Sequence, residues 1–382
     1  MDGRVPAAPP DAVGSDDFGV YVHVPFCSSR CDYCAFATWT DRDHLMDRYA
    51  AACVTEMTRA TAEEGLPPAT SVFVGGGTPS RLPPDRLAAV LGAIACVEGA
   101  EVTAECNPED ATDVLFASWR AAGVNRVSFG VQSMVPHVLE GLGRRHDPEA
   151  VGRALSRAGA AGFAAVSVDL IFGGAGETDD DFRHSLEAVL ALDPPPGHVS
   201  AYALTVEPGT PLAADPARHP DDDVQAERYA LADEVLGAAG YRWYEVSNWA
   251  RPGQRCRHNR LYWAQGDYRG IGAAAHSHRA GRRWWNIRTP ERYIAAVEDG
   301  RSTTAGEERL SPDERLFEAL TLALRTAEGV PAGVVPDDPD LEALVERRHG
   351  RAVLTLRGRL LANEVTTRLR PGRFDAPGIL RR

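Results

Sequence analysis

From Phe18 onward, short apolar runs alternate with longer stretches whose apolar residues recur at helical spacing. The runs predict strands over Val20–His23, Ser71–Val74, Glu101–Glu105, Arg126–Gly130, Ala165–Leu170 and His198–Ala203. Between them the spacing predicts helices over Arg42–Glu64, Pro84–Ala95, Asp113–Ala122, Pro148–Gly162 and Asp179–Leu190. Pro84 suits a first helical turn, and Gly123 and Gly162 suit helix ends. Strands separated by helices imply right-handed crossovers and a parallel sheet. About six such units fit before residue 205, fewer than the eight of a closed TIM barrel. The expected fold is therefore α/β, a partial parallel (βα)6 barrel.

Past residue 205 the pattern changes. Pro-rich loops lead into a Trp/Tyr/Arg/His-dense stretch, Tyr241 to Trp285, read as strands and turns that extend the barrel. Pro290–Asp299 reads as one helix. Ser311 with Glu314 three residues on forms a capping box before a new helical pattern. RAVLTLRGRLLANEV then reads as a short strand followed by a helix. The expected division is a disordered leader over 1–17, a barrel over 18–240, an extension over 241–304, and a helical, winged-helix-like domain over 305–382.

The 382 residues carry a net charge of -13, which argues against a nucleic-acid partner. The charge is uneven: Arg347 to Arg382 holds ten Arg and two acids, a solvated basic end or a contact for an acidic partner or lipid surface. No run of 18 apolar residues predicts a membrane span. The leader, rich in Pro, Ala and Asp, lacks the apolar core of a signal peptide, so a reducing cytoplasm is expected.

In that setting clustered thiols serve metals or catalysis more often than disulfides. Cys27, Cys31 and Cys34 stand as C-x3-C-x2-C directly after the first strand. A structural zinc site calls for four N/S ligands. Three thiolates on one loop suit three corners of a [4Fe–4S] cluster, with the fourth iron open to a ligand. Cys53 and Cys96 read as small buried residues on helices.

The other polar and special residues collect at or after strand ends: Gly75-Gly76-Gly77-Thr78-Pro79, Glu105, Gln132, Asp169 and Tyr202. In a parallel α/β barrel those ends share one face, and sites are built there. Gly75–Gly77 permit close backbone approach to a charged ligand. Thr78, Glu105, Gln132 and Asp169 offer hydrogen bonds, and Arg144 or its neighbour Arg145 can pair with a carboxylate.

C-x3-C-x2-C followed by GGGTP resembles the radical S-adenosylmethionine (SAM) superfamily. In that family the unligated iron chelates the amino and carboxylate groups of SAM, and an electron from the cluster cleaves SAM to a 5′-deoxyadenosyl radical. The segments YVHVPFC, VFVGGGTPS, ECNPED, VNRVSFGVQS, LGRRH, YALTVEPGTPL, YEVSNWA and CRHNRLYW extend the resemblance to nearly the whole chain. They are similar to the coproporphyrinogen III oxidase-like branch, and within it to the HemW-type haem chaperones. The resemblance implies a [4Fe–4S] cluster, SAM and haem as cofactors. It implies Tyr21, Tyr33, Gly76, Gly77, Thr78, Glu105, Gln132, Arg144, Asp169 and Ala203 as contacts of SAM.

Two features favour the chaperone over the oxygen-independent coproporphyrinogen III dehydrogenase of the same branch. Phe36 stands where the dehydrogenase has a further cysteine, so no coproporphyrinogen oxidase activity is expected. His258-Asn259-Arg260-Leu261-Tyr262-Trp263 matches the H-N-x-x-Y-W signature of haem-handling members. His258 is then a haem-contact candidate, beside the plainer reading of a hydrogen-bonded histidine in a packed aromatic region. Cys256, His276 and His278 are alternatives, Arg255 and Arg257 candidate propionate partners, and His23 a support for the cluster loop. The implied partners are haem and haem-requiring, respiratory client proteins, some at membranes, with room for a homodimer. The chain departs from the branch in GGAGET, where GLPGQT is usual, and in Ala35, where an acidic residue is usual.

Overall fold

The computed structural model describes residues 14 and 16–370. Six parallel strands form its centre: β1 (Phe18–Val24), β2 (Ala69–Gly76), β3 (Cys96–Cys106), β4 (Arg126–Gln132), β5 (Ala165–Phe172) and β6 (His198–Ala203). They pair in chain order, each joined to the next through helix on the outer face. Every expected strand is present, usually a residue or more longer. This is the partial parallel (βα)6 barrel.

Both edges of that sheet are extended. β7 (Arg242–Glu245) and β8 (Asn248–Ala250) add an antiparallel hairpin beside β6. On the other side β9 (Asp267–Ile271) runs parallel to β1, and β10 (His276–Arg279), β11 (Arg282–Asn286) and β12 (Thr304–Arg309) follow antiparallel. One sheet of 12 strands results. Its extension is stitched to the first long helix, Met46–Glu64, by the buried Glu56. That carboxylate accepts from Gly272 N, Tyr293 Oη, Thr303 Oγ1 and Asn286 Nδ2 at 2.7–3.0 Å.

Two segments differ from the sequence expectation. The loop-rich stretch after residue 205 contains a 17-residue helix, Asp222–Ala238, capped by Asp221. The H-N-x-x-Y-W segment is a helix, Arg257–Trp263, not a strand, which puts His258 and Tyr262 one turn apart on one face.

The chain then forms a small unit with its own apolar core, including Leu320, Val330, Leu354 and Val365. The Ser311–Glu314 capping box opens its helix Pro312–Leu324. β13 (Val330–Pro331), β14 (Val345–Arg348) and β15 (Arg351–Leu354) make a separate antiparallel sheet, and two short helices follow. Several arginines of the basic end are paired. Arg347 meets Asp337, Arg359 meets Asp233, and Arg368 meets Asp338 and Glu364. Apart from Gly14, Asp16 and Asp17, the expected leader lies outside the described residues, as do positions beyond Arg370. Among the described residues no helix is long and apolar enough to cross a membrane.

Candidate functional site

The carboxyl ends of β1 to β6 surround a cleft of about 570 Å³. The three cysteine thiols line it, on the loop between β1 and the first helix. This loop is braced from four directions. His23 Nε2 donates to Ala37 O at 3.0 Å, while its Nδ1 lies 3.0 Å from Tyr21 Oη. Burial drives the His23 pKa down to about 4, so the ring is a neutral strut. Trp39 N donates to Pro25 O, and Cys27 N to Trp39 O. Arg218 ties Asp32 at 2.8 Å, and Arg30 donates to Cys34 O.

The thiols are the donor type an iron–sulfur cluster takes, and among the described residues no three ligating side chains are gathered to hold a single metal ion. All three thiols are free and half-buried, Cys27 is in the electrostatic field of Cys34 and Cys31, and Cys34 is in that of Cys31. Donors already face two of the sulfurs: Arg144 Nη1 lies 3.5 Å from Cys31 Sγ, and Thr78 Oγ1 lies 3.6 Å from Cys27 Sγ. Such contacts tune cluster thiolates. Gly77 passes so close that a Cβ there would stand 3.0 Å from Cys27 Sγ and 2.7 Å from Phe26 O. Any side chain at 77 would push the loop away.

The residues beside the thiols fit the polar end of SAM. Gly76, Gly77, Thr78, Glu105, Gln132, Arg144, Asp169 and Ala203 all line the cleft, with Tyr33. Arg144 and Arg145 both line the cleft, Arg145 exposed and Arg144 partly buried. The Arg144 Nη2 donates to Asn107 Oδ1 and Gly130 O, each at 2.9 Å, and its buried Nε has no partner among the described residues. Gln132 follows a bulge in β4 and holds φ of 65°, a left-handed backbone rare outside glycine and common where sites store strain. Glu105 Oε2 accepts from Gly76 N at 3.1 Å and so pins the glycine loop. Burial, then the nearby Asp169, pushes its carboxyl up to about 8. A cationic ligand group would reverse that shift. Asn107 was not singled out from sequence; it bridges Arg144 and Thr78, and its position just past β3 was the available signal.

Tyr21 and His258 lie elsewhere. They line a smaller chamber of about 150 Å³ inside the barrel, below the cleft. Glu105, Asp169 and Tyr202 line both spaces. His258 is fully buried, its Nδ1 3.0 Å from Ser71 Oγ and its Nε2 2.8 Å from Tyr262 Oη. Burial holds its pKa near 3. With both nitrogens engaged, this ring in this conformation has no lone pair to give a metal.

The neighbouring candidates are engaged too. Cys256 donates to Glu101, and burial pushes its thiol up to about 12. Arg255 pairs with Glu328, and Arg257 donates to Gly99 O. His278 Nδ1 lies 2.9 Å from Gly266 O, and its Nε2 accepts from Gly281 N. Cys53 is buried on a helix as expected, but Cys96 is exposed at the start of β3.

The altered GGAGET turn is held by its own substitution. Glu177 Oε2 accepts from Gly173 N and Gly174 N and pairs with the buried Arg228 at 2.8 Å. The turn that lacks proline is thus fixed by a carboxylate.

Comparison with known proteins matches residues 21–189 to the radical SAM superfamily. Among curated relatives, "Heme chaperone HemW" of Mycobacterium tuberculosis (strain ATCC 25618 / H37Rv) is 43% identical, over 92% of this chain and 94% of its own. The Bacillus subtilis (strain 168) protein of the same name is 32% identical, over 90% and 97%. Mouse "Radical S-adenosyl methionine domain-containing protein 1, mitochondrial" is 38% identical, over 81% and 74%. Among solved structures, coproporphyrinogen III oxidase (HemN) from Escherichia coli superposes with a TM-score of 0.79, covering 92% of this chain and 89% of that one. At 21% identity this likeness speaks for the fold alone.

Proposed function

The chain belongs to the HemW-type haem chaperones of the radical SAM superfamily, and from that premise we propose that it binds haem on a [4Fe–4S] and SAM scaffold. It hands the haem to haem-requiring proteins, respiratory ones among them. The observation that carries this reading is the match, over nine-tenths of both chains, to a relative named as a haem chaperone.

Cys27, Cys31 and Cys34 hold the cluster. Gly76, Gly77, Thr78, Glu105, Gln132, Arg144, Asp169 and Ala203 hold SAM, with Tyr33 at the wall. Tyr21 acts from below, by fixing His23. When bound, the cluster supplies an electron and an open iron position to SAM. The protein's own part is to orient the SAM amino and carboxylate groups and to keep water from the thiols. Phe36, 66% exposed on the cleft wall, offers an apolar face where the dehydrogenase has a cysteine. Residues 18–240 act as the barrel and 241–304 as its extension, which β12 carries on to Arg309, past the expected boundary. Residues 305–382 serve client contact; the pairing of Arg347 and Arg368 with acids of the same unit, and of Arg359 with Asp233 of the barrel, argues for that role over lipid binding.

The test is an anaerobic titration of haem into the full-length, cluster-reconstituted protein, followed by Soret absorption. One haem bound per chain is the expected result. No haem bound, with a vinyl product formed from coproporphyrinogen III by mass spectrometry, would overturn the reading.

A further inference from the structure

The H-N-x-x-Y-W segment is part of the family resemblance, yet its histidine is closed to a metal. His258 and His278 have both ring nitrogens in hydrogen bonds. His276, the third candidate, is exposed and has no hydrogen bond among the described residues. A buried histidine engaged at both nitrogens holds something in place, and the rings stacked above it show what.

His258 is the foot of a column of rings inside the barrel. Its ring lies 5.7 Å from that of Phe73, inclined by 30°. Phe73 in turn lies 6.4 Å from Tyr21, inclined by 23°, its register partner across β1 and β2. Tyr21 Oη meets His23 Nδ1 at 3.0 Å, and His23 Nε2 donates to Ala37 O on the cysteine loop. The column thus joins the helix Arg257–Trp263 to the loop that carries the thiols.

Room for it is kept at both ends by missing side chains. A Cβ at Gly19 would stand 2.9 Å from His258 Cε1, and one at Gly76 would stand 2.4 Å from the His23 ring. The upper end bears on the sulfurs. Thr38, next to Ala37, hydrogen-bonds the thiols of Cys27 and Cys34. A displaced Ala37 carries Thr38 with it, and such donors tune the thiolates of a cluster.

We propose that His258 and Phe73 are positioning residues for the cluster. They set its surroundings through Tyr21, His23 and Ala37 without touching it. The assignment rests on the cluster-binding reading above, and it gives the motif histidine a role that needs no haem ligation.

The experiment is electron paramagnetic resonance of the full-length, reconstituted and reduced protein in the absence of SAM, with iron and sulfide content measured alongside. The variants are Phe73→Leu, Phe73→Tyr, Tyr21→Phe, His258→Ala and, as a control, Phe116→Leu. Phe116 is fully buried too, but it packs on Trp119, Phe129 and Phe163. Phe73→Leu, Tyr21→Phe and His258→Ala should each shift the g-values while cluster content holds. Iron should pass to a chelator about tenfold faster from Phe73→Leu, the lower end of what lost support costs a metal site. Phe73→Tyr keeps the ring, and its hydroxyl has room in the chamber, so it should match wild type. Phe116→Leu should lose stability with its signal unshifted. Tyr21→Phe removes one oxygen and leaves the packing intact, so it reads the column even where Phe73→Leu does not fold. Wild-type g-values in Phe73→Leu or Tyr21→Phe would overturn the proposal. So would an equal shift in Phe116→Leu, which would mean general loosening. A wild type that takes up no cluster would instead overturn the cluster reading itself.

Discussion

The cleft above the strand ends and the chamber below them are lined by similar side chains, yet they differ in what is left unpaired. In the chamber, His258 spends both nitrogens on Ser71 and Tyr262, and Arg126 spends its guanidinium on Gln254 O, Ser167 and Glu101, while Thr103 Oγ1, His198 Nδ1 and Asn248 Oδ1 are left without a partner among the described residues. In the cleft, three thiols are free and the Arg144 Nε is unmatched. What the chamber leaves over is neutral hydroxyl, imidazole and amide, whereas the cleft leaves thiols and a guanidinium edge, the kinds of group that take a metal and a carboxylate. A motif match by itself does not separate these roles.

The sharpest test of the contrast is at the cysteines. Cys31→Ser should abolish cluster retention, read as iron and sulfide per chain, while thermal unfolding stays close to that of the cluster-free wild type. Retained iron would mean that the thiols are not the ligands. At the chamber the reverse pattern is expected. His258→Ala deletes two buried hydrogen bonds and opens a cavity, so stability falls by about 3 kcal/mol. Cluster content should hold, and its loss in a folded variant would break the distinction.

Acid should act through the same ring. The folded pKa of His258, near 3, lies below the usual histidine value. The unfolded chain therefore binds a proton that the folded one refuses. Stability from this group is full above pH 6.5 and declines on acidification at roughly 1.4 kcal/mol per unit. Buried His23 and His146 add to that slope and Glu105 opposes it, so the reading is a difference: chemical denaturation from pH 7 to 5 should show wild type and His258→Gln diverging by that slope.

The smallest effect concerns Glu105, shared by both spaces. Its raised pKa means that the folded protein holds a proton between pH 4.5 and about 8 that the unfolded chain has lost. The Glu105 contribution to stability of the ligand-free protein therefore falls as pH rises through that window, opposite in sign to that of His258, and the difference between wild type and variant isolates it. Glu105→Gln should remove the fall and weaken SAM binding about tenfold, roughly 1.4 kcal/mol, by calorimetry. Unchanged SAM affinity would assign Glu105 to the glycine loop alone.

Much of this was legible in the chain. Strands buried on both faces read as apolar runs, so all six were found, and their ends marked the cleft. Helix Asp222–Ala238 was missed because its buried residues, Arg228, Tyr229, Ala232 and Leu236, include a charge and form no clean apolar stripe. Its start was marked by Asp221, a usable N-cap. Helix Arg257–Trp263 is too short and too aromatic to show a period, though the i, i+4 spacing of His258 and Tyr262 was in view. Which of three histidines keeps a free nitrogen could not be read at all. That depends on Ser71, Tyr262, Gly266 and Gly281, which only folding brings near.

The pairing of β1 with β9 has a consequence for how the protein is born. Val24 and Asp267 are separated by some 243 residues of synthesis. At typical translation speeds the cysteine-bearing strand waits about 10–50 s for the neighbour that closes its flank. Over that interval the ribosome displays three thiols beside an unpaired strand edge. Loading of iron and sulfide during translation would use that interval, and a faster elongation rate would shorten it.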